Sequence, residues 1–220
     1  MASFPAPNSP KNLTMLDMRA KMDMLGGPAK QCRFAIRILP AGSGQDGQGH
    51  FLTKLGYTNV LNDITYLCES ISFPGRGFDF TESRYYGPPQ YLPYNSKYSN
   101  EMTLTLLTRA DGLERQLFDD WLEIINPTNT FDFNYATDYY SHIQVYQLKE
   151  IPGRASGNPP TAPDPSYMWQ LLQCWPISVG EQAVTWADND VLRLQITFTY
   201  RYWVRPGRDE MPGGGYRPLS

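Results

Sequence analysis

Near the C-terminus, Leu192, Leu194, Ile196, Phe198, Tyr200 and Tyr202 occupy every second position, and Arg193, Gln195, Thr197, Thr199 and Arg201 lie between them. A two-residue period puts the first set on one face of a strand and the second on the other. The segment reads as one long strand in a sheet with a buried face and a wet face. The wet face carries no catalytic set and reads as a lining or flat surface. Similar alternation predicts a first strand at 32–39, a second at 64–73 closed by Pro74-Gly75-Arg76-Gly77, and a third at 101–109. Further strands are expected within the aromatic segment 129–149, at 167–179 and at 183–187, with Asp188-Asn189-Asp190 as the turn before the last strand.

Helical spacing occurs twice. Leu113, Leu117, Trp121 and Ile124 or Ile125 form one apolar stripe, opened by a capping-box-like Asp111-Gly-Leu-Glu114 and ended by Asn126-Pro127. Glu114, Asp119, Asp120 and Glu123 fall mainly off the stripe and read as a solvated side. Over 13–25, Met15, Met18, Met22 and Leu25 form a narrower stripe, with Thr14 as a cap and Gly26-Gly27-Pro28 as a stop. A helix of about three turns is marginal alone in water. It packs either on its own domain or on a neighbour, and methionine is suited to adaptable contacts.

Residues Phe78 to Asn100 fit neither period. Pro88, Pro89 and Pro93 argue against a central strand. Phe78, Phe80, Tyr85, Tyr86, Tyr91, Tyr94 and Tyr98 argue against a solvated loop, because so many rings need a surface to bury on. The expectation is a long loop ordered against another subunit, with Phe78, Phe80, Arg84, Tyr85, Tyr86, Tyr91 and Tyr94 as contacts. The organisation that follows is an arm (1–30), a β domain (31–204) with a surface insertion at 150–166, and a loose tail (205–220).

Composition narrows the chemistry. A chain of 220 residues suits one domain with extensions. Its net charge of −3 provides no global basic field for gripping nucleic acid. Cys32, Cys68 and Cys174 are odd in number and far apart, and read as core thiols of a protein made in a reducing cytoplasm. No signal pattern or long apolar run predicts a membrane. His50 and His142 lack partners at ligand spacing, so neither a metal nor a catalytic set is expected, nor a cofactor. Asp188 and Asp190 could hold calcium weakly but read first as a turn. Arg76, Arg84 and Lys97 among tyrosines could mimic a nucleic-acid surface. Tyrosine- and tryptophan-lined sandwiches also bind glycans, which keeps a sugar-binding module as an alternative.

One ordered set of motifs is more specific. Ser72-Phe-Pro-Gly-Arg-Gly-Phe-Asp-Phe80 precedes the Tyr/Pro segment. Phe118-Asp-Asp-Trp121 lies in the helix, Asp132-Phe-Asn-Tyr135 follows, and Trp175-Pro-Ile-Ser-Val-Gly-Glu181 leads into the alternating strand that ends at Tyr202-Trp203. From about residue 32 to 203 this order resembles the tail tube proteins of contractile-tailed bacteriophages. The resemblance implies a mainly β fold: a sandwich or barrel of two packed antiparallel sheets with a flanking α-helix, here with an N-terminal helical arm. It implies a virion protein assembled in the host cytoplasm, forming stacked hexameric rings around a channel for double-stranded DNA. It also implies sheath, baseplate or terminator proteins as partners. The segment at 75–100 matches by position the loop that reaches the adjacent ring. A baseplate tube-initiator ring of the same fold is the alternative, since arm and insertion go beyond a minimal tube subunit. About four strands from each of six subunits, spaced about 4.8 Å and tilted about 45°, would close a cylinder roughly 50 Å across, leaving an open lumen. Its lining should be polar and not basic, because Lys and Arg would hold phosphates in place. Arg193 and Arg201 fit that lining only if acidic neighbours offset them.

Overall fold

The computed structural model describes residues 29–40, 50–84, 86–148, 165–187 and 190–205. The N-terminal stripe of Met15, Met18, Met22 and Leu25, residue Tyr85, the Asp188-Asn189 pair, most of the insertion and the C-terminal tail lie outside them.

Nine strands and four helices are described in the order β1 (Phe34–Pro40), α1 (Phe51–Lys54), α2 (Thr58–Leu67), β2 (Cys68–Ile71), β3 (Arg76–Ser83), β4 (Gln90–Tyr98), β5 (Glu101–Leu107), α3 (Leu113–Ile125), α4 (Ala136–Tyr139), β6 (Ser141–Leu148), β7 (Pro165–Val179), β8 (Arg193–Thr199) and β9 (Tyr202–Val204). The fold is mainly β and its strand pairs are antiparallel. The main path runs β1-β6-β7-β8-β5-β2, with β9 also on β7, while β3 and β4 pair only with each other.

Strand β7 joins the two halves of this sheet. Its first half pairs with β6 and β9, and its second half, from Trp175, pairs with β8. The change falls at Gln173, whose φ of 56° is left-handed. There the register slips from Ile143↔Leu171 to Ser141↔Cys174, so β7 carries an extra residue. A bulge bends a strand and sharpens its twist. The Gln173 N–H donates to His142 Nδ1 at 3.4 Å, and Arg201 Nη1 donates to Gln173 Oε1 at 3.2 Å.

The apolar faces meet inside. Met102, Leu104 and Leu106 of β5 stand opposite Phe198, Ile196 and Leu194 of β8, and all six are buried. Ile36 and Ile38 of β1 join Ile143 and Val145 of β6 in the same core. Helix α3 lays Leu117, Phe118, Trp121 and Ile125 on it. The rings of Phe118 and Trp121 meet Phe198 with centroids 6.0 and 5.9 Å away, at steep angles favoured by aromatic quadrupoles. Trp121 Nε1 donates to Tyr139 O at 3.0 Å, which satisfies the one polar atom of that side chain.

Several expectations are corrected. Residues 58–67 form a helix, where a strand from 64 was expected. Val60, Leu61 and Ile64 share its buried side, and Thr65 Oγ1 ties it to Ile36 O at 2.6 Å. The strand that follows is only Cys68–Ile71. In the aromatic segment, strand structure is confined to β6; residues 127–135 are irregular and 136–139 helical. Residues 183–187 form no strand, because no neighbouring strand pairs with them and Thr185 Oγ1 turns back to accept from Ala187 N at 3.2 Å. The final strand is interrupted at Tyr200-Arg201, where Arg201 N donates to Leu172 O at 3.1 Å and the chain crosses to the other half of the sheet.

Glu114 is also not on a solvated side. Its carboxylate is fully buried, accepts from Arg109 Nε and, at 3.2 Å, from Arg109 N. Arg109 Nη1 reaches Asp63 at 3.1 Å, which links α2 to the start of α3. The N-cap is Gly112 at φ 65°, which has no side chain to offer, and Asp111 Oδ1 accepts from Leu113 N at 3.4 Å. Cys174 is buried as expected, but Cys32 is exposed and Cys68 only partly covered.

Candidate assembly surface

Strands β3 and β4 form a hairpin that stands off the main sheet. The segment expected as a long loop is therefore a twisted ribbon, and the prolines fit it for a reason. Asp79 pairs with Asn95 but Phe80 with Pro93, so Tyr94 is the extra residue of a bulge beside Pro93. A ring that cannot donate to the ladder belongs at such a bulge.

The ribbon has two unlike faces. On one, Arg76 lies over the rings of Phe78 and Tyr98 at 5.2 and 5.1 Å, and Phe80 meets Tyr91 edge-on at 5.4 Å. On the other, Asn95 Nδ2 donates to Asp79 Oδ2 at 3.2 Å. The aromatic face has no cover among the described residues: Phe78 is 59%, Phe80 65%, Tyr91 58% and Tyr94 70% exposed. Tyr86 is exposed at the tip beside Arg84, and Tyr85 lies outside the described residues.

Among the described residues, only the root is anchored. Ser99 N donates to Gly75 O at 3.1 Å, and Trp203 Nε1 donates to the same carbonyl at 3.3 Å. The Trp203 ring meets Tyr98 edge-on at 6.1 Å. A two-stranded ribbon is marginal by itself in water, so a fixed root with a bare aromatic face is the physical signature of a surface completed by something else.

The other flagged groups serve the fold. His50 caps α1 by accepting from Leu52 N at 3.3 Å through Nδ1, and its Nε2 donates to Tyr140 O at 2.9 Å. Burial holds its pKa below the ordinary value, against the smaller opposing effect of that bond. His142 receives the bulge N–H of Gln173, as described above, and burial lowers its pKa too. Arg193, exposed on the wet face of β8, is paired with Glu69 at 2.7 Å and Asp190 at 3.4 Å. Arg201 lies in the interruption between β8 and β9 rather than on that face. The acidic neighbours that the lining required are present for Arg193, a pairing across 124 residues that sequence spacing does not reveal.

The fold, mainly antiparallel β with a flanking helix, is of the tail-tube type. The model of the phage tail tube protein family matches residues 29–206, and the chain belongs to that family. No match is found among the curated proteins. Solved structures share the fold at low identity. The sheath–tube complex of an extracellular contractile injection system, in its extended state, matches at 15% identity and TM-score 0.52 over 84% of this chain and 95% of that one. The sheath/tube terminator of such a system matches at 16% and 0.51, over 81% and 96%. The baseplate of the anti-feeding prophage matches at 16% and 0.51, over 81% and 95%.

Proposed function

We propose that this chain is the repeated subunit of a contractile-tail tube, forming hexameric rings that stack around a channel for double-stranded DNA. The observation that carries the reading is the hairpin: a rooted ribbon with a bare aromatic face, in a chain of the tail tube family. The sheet edges support it as well. Among the described residues the main path ends in β1 on one side and β2 on the other. Unpaired edges are a liability for a monomer and are removed when neighbouring subunits close a ring.

The wet face of β5 and β8 suits the channel lining. Thr103, Thr105, Gln195, Thr197 and Thr199 are uncharged, and Arg193 is neutralised locally by Glu69 and Asp190. Such a face offers a passing duplex no net positive charge with which to displace its counterions. Sheath proteins on the outside and baseplate or terminator proteins at the ends are the partners this reading calls for, in a virion assembled in the host cytoplasm.

The test replaces residues 82–98 with a short Gly/Ser linker. The variant should fold, with unchanged far-ultraviolet circular dichroism from the main sheet, and should form no stacked tubes by negative-stain electron microscopy. Normal tubes from it would refute the role of the hairpin.

A further inference from the structure

No large apolar side chain among the described residues is more exposed than Trp186, and Val184 close by is 80% exposed. Trp186 contributes nothing to the core. It stands in the connection from β7 to β8, where Val184, Val191 and Leu192 line a groove of about 470 Å³ together with Glu181, Asp190 and Arg193. A free-standing tryptophan beside a groove of mixed polarity is the kind of side chain that anchors interfaces.

Its position relative to the hairpin is informative. The β5–β8 ladder runs from Glu101↔Thr199 to Leu107↔Arg193, a span of roughly 20 Å at about 3.4 Å per residue. The hairpin leaves at the first end, where Thr199 Oγ1 donates to Asn100 O at 2.9 Å. The Trp186 connection leaves at the other, where Thr108 N donates to Leu192 O at 2.9 Å. The two bare apolar surfaces are therefore at opposite ends of one ladder. Asp190 is held by Arg193 at 3.4 Å, and Arg193 also lines the groove, but Glu181 has no ion-pair partner among the described residues, and the hairpin carries Arg76, Arg84 and Lys97 against Asp79 and Glu82.

Resting on the stacked-ring reading, we propose that the Trp186 surface and its groove receive the aromatic face of the hairpin from a second copy of this chain. Phe80, Tyr91 and Tyr94 supply the rings, and Arg84 faces Glu181. Two different patches joined in this way make a heterologous, head-to-tail contact, which propagates without closing and so gives an open stack.

The test uses the full chain. Trp186→Ala should leave circular dichroism and unfolding unchanged and raise the critical concentration for fibre formation by at least roughly tenfold, as loss of an interface anchor does. Trp186→Glu and Phe80→Glu should each stop fibres. Mixed together they should form two-ring particles, visible by electron microscopy and mass photometry, because each retains the half that the other lacks. Fibres from Trp186→Glu at the parent's concentration, or no association on mixing, would overturn the proposal while parent tubes kept the stacking reading intact. A parent chain that forms no stacks at any concentration overturns the stacking reading, and this pairing with it.

Discussion

Replacing Phe198 by alanine tests whether the alternating C-terminal strand is the inner wall of the core. Phe198 is fully buried, stands opposite Met102, and touches both Phe118 and Trp121 of α3. Truncating such a ring removes its transfer free energy and leaves a cavity that rigid neighbours on three elements fill poorly. The usual cost is about 3–5 kcal/mol. A domain of this size loses about 2–4 °C in Tm per kcal/mol, so the shift should be about 6–20 °C. The control is Arg193→Gln on the opposite face. Arg193 is 45% exposed, so its pairs with Glu69 and Asp190 are screened by water and contribute less than about 1 kcal/mol. Calorimetry and urea unfolding should be run in the hairpin-replaced background, because assembly stabilises the native state by mass action. A Phe198→Ala shift no larger than that of Arg193→Gln would refute the assignment of the two faces.

Two further outcomes follow from buried polar groups. Glu114→Ala removes the partner of Arg109 Nε and of the Arg109 N–H, and should cost about 1.5–3 kcal/mol by urea unfolding; Asp63→Asn, at a more exposed pair, should cost less than about 1 kcal/mol. His50 and His142 have pKa values lowered by burial, so the unfolded chain takes up their protons first as pH falls. Stability should be full above the unfolded value of about 6.5 and fall below it, by at most about 1.4 kcal/mol per pH unit for each histidine, until the folded values are passed. His50→Asn, which keeps a capping oxygen, should flatten the dependence between pH 7.5 and 5.5; an unchanged slope would count against burial as its cause.

What local pattern determined is clear from β8 and α3. In β8, strict alternation set the buried face without reference to any partner, because a two-residue period leaves no other way to hide Leu194, Ile196 and Phe198 together. In α3, the three- and four-residue spacing located Leu117 and Trp121 on the core side and Asn126-Pro127 at the end. The aromatic excess of 78–100 likewise located the rings that the β3–β4 ribbon leaves exposed. The overall class, mainly β with a flanking helix, was legible for the same reason: it rests on short-range periodicities.

Tertiary structure decided the rest. Residues 64–67 were strand-like in isolation, yet the packing of Val60, Leu61 and Ile64 beside β1 made them the last turn of α2. Val184 to Trp186 have strand-forming side chains, but a strand exists only where another one pairs with it. The left-handed bulge at Gln173, the crossing at Tyr200-Arg201 and the burial of Glu114 against Arg109 each satisfy groups that meet only in the folded chain. The same holds for the neutralisation of Arg193 by Glu69. Periodicity reports which side of an element avoids water; it carries no information about which distant backbone or charge completes that element, and that choice is made when the two halves of the sheet close on one core.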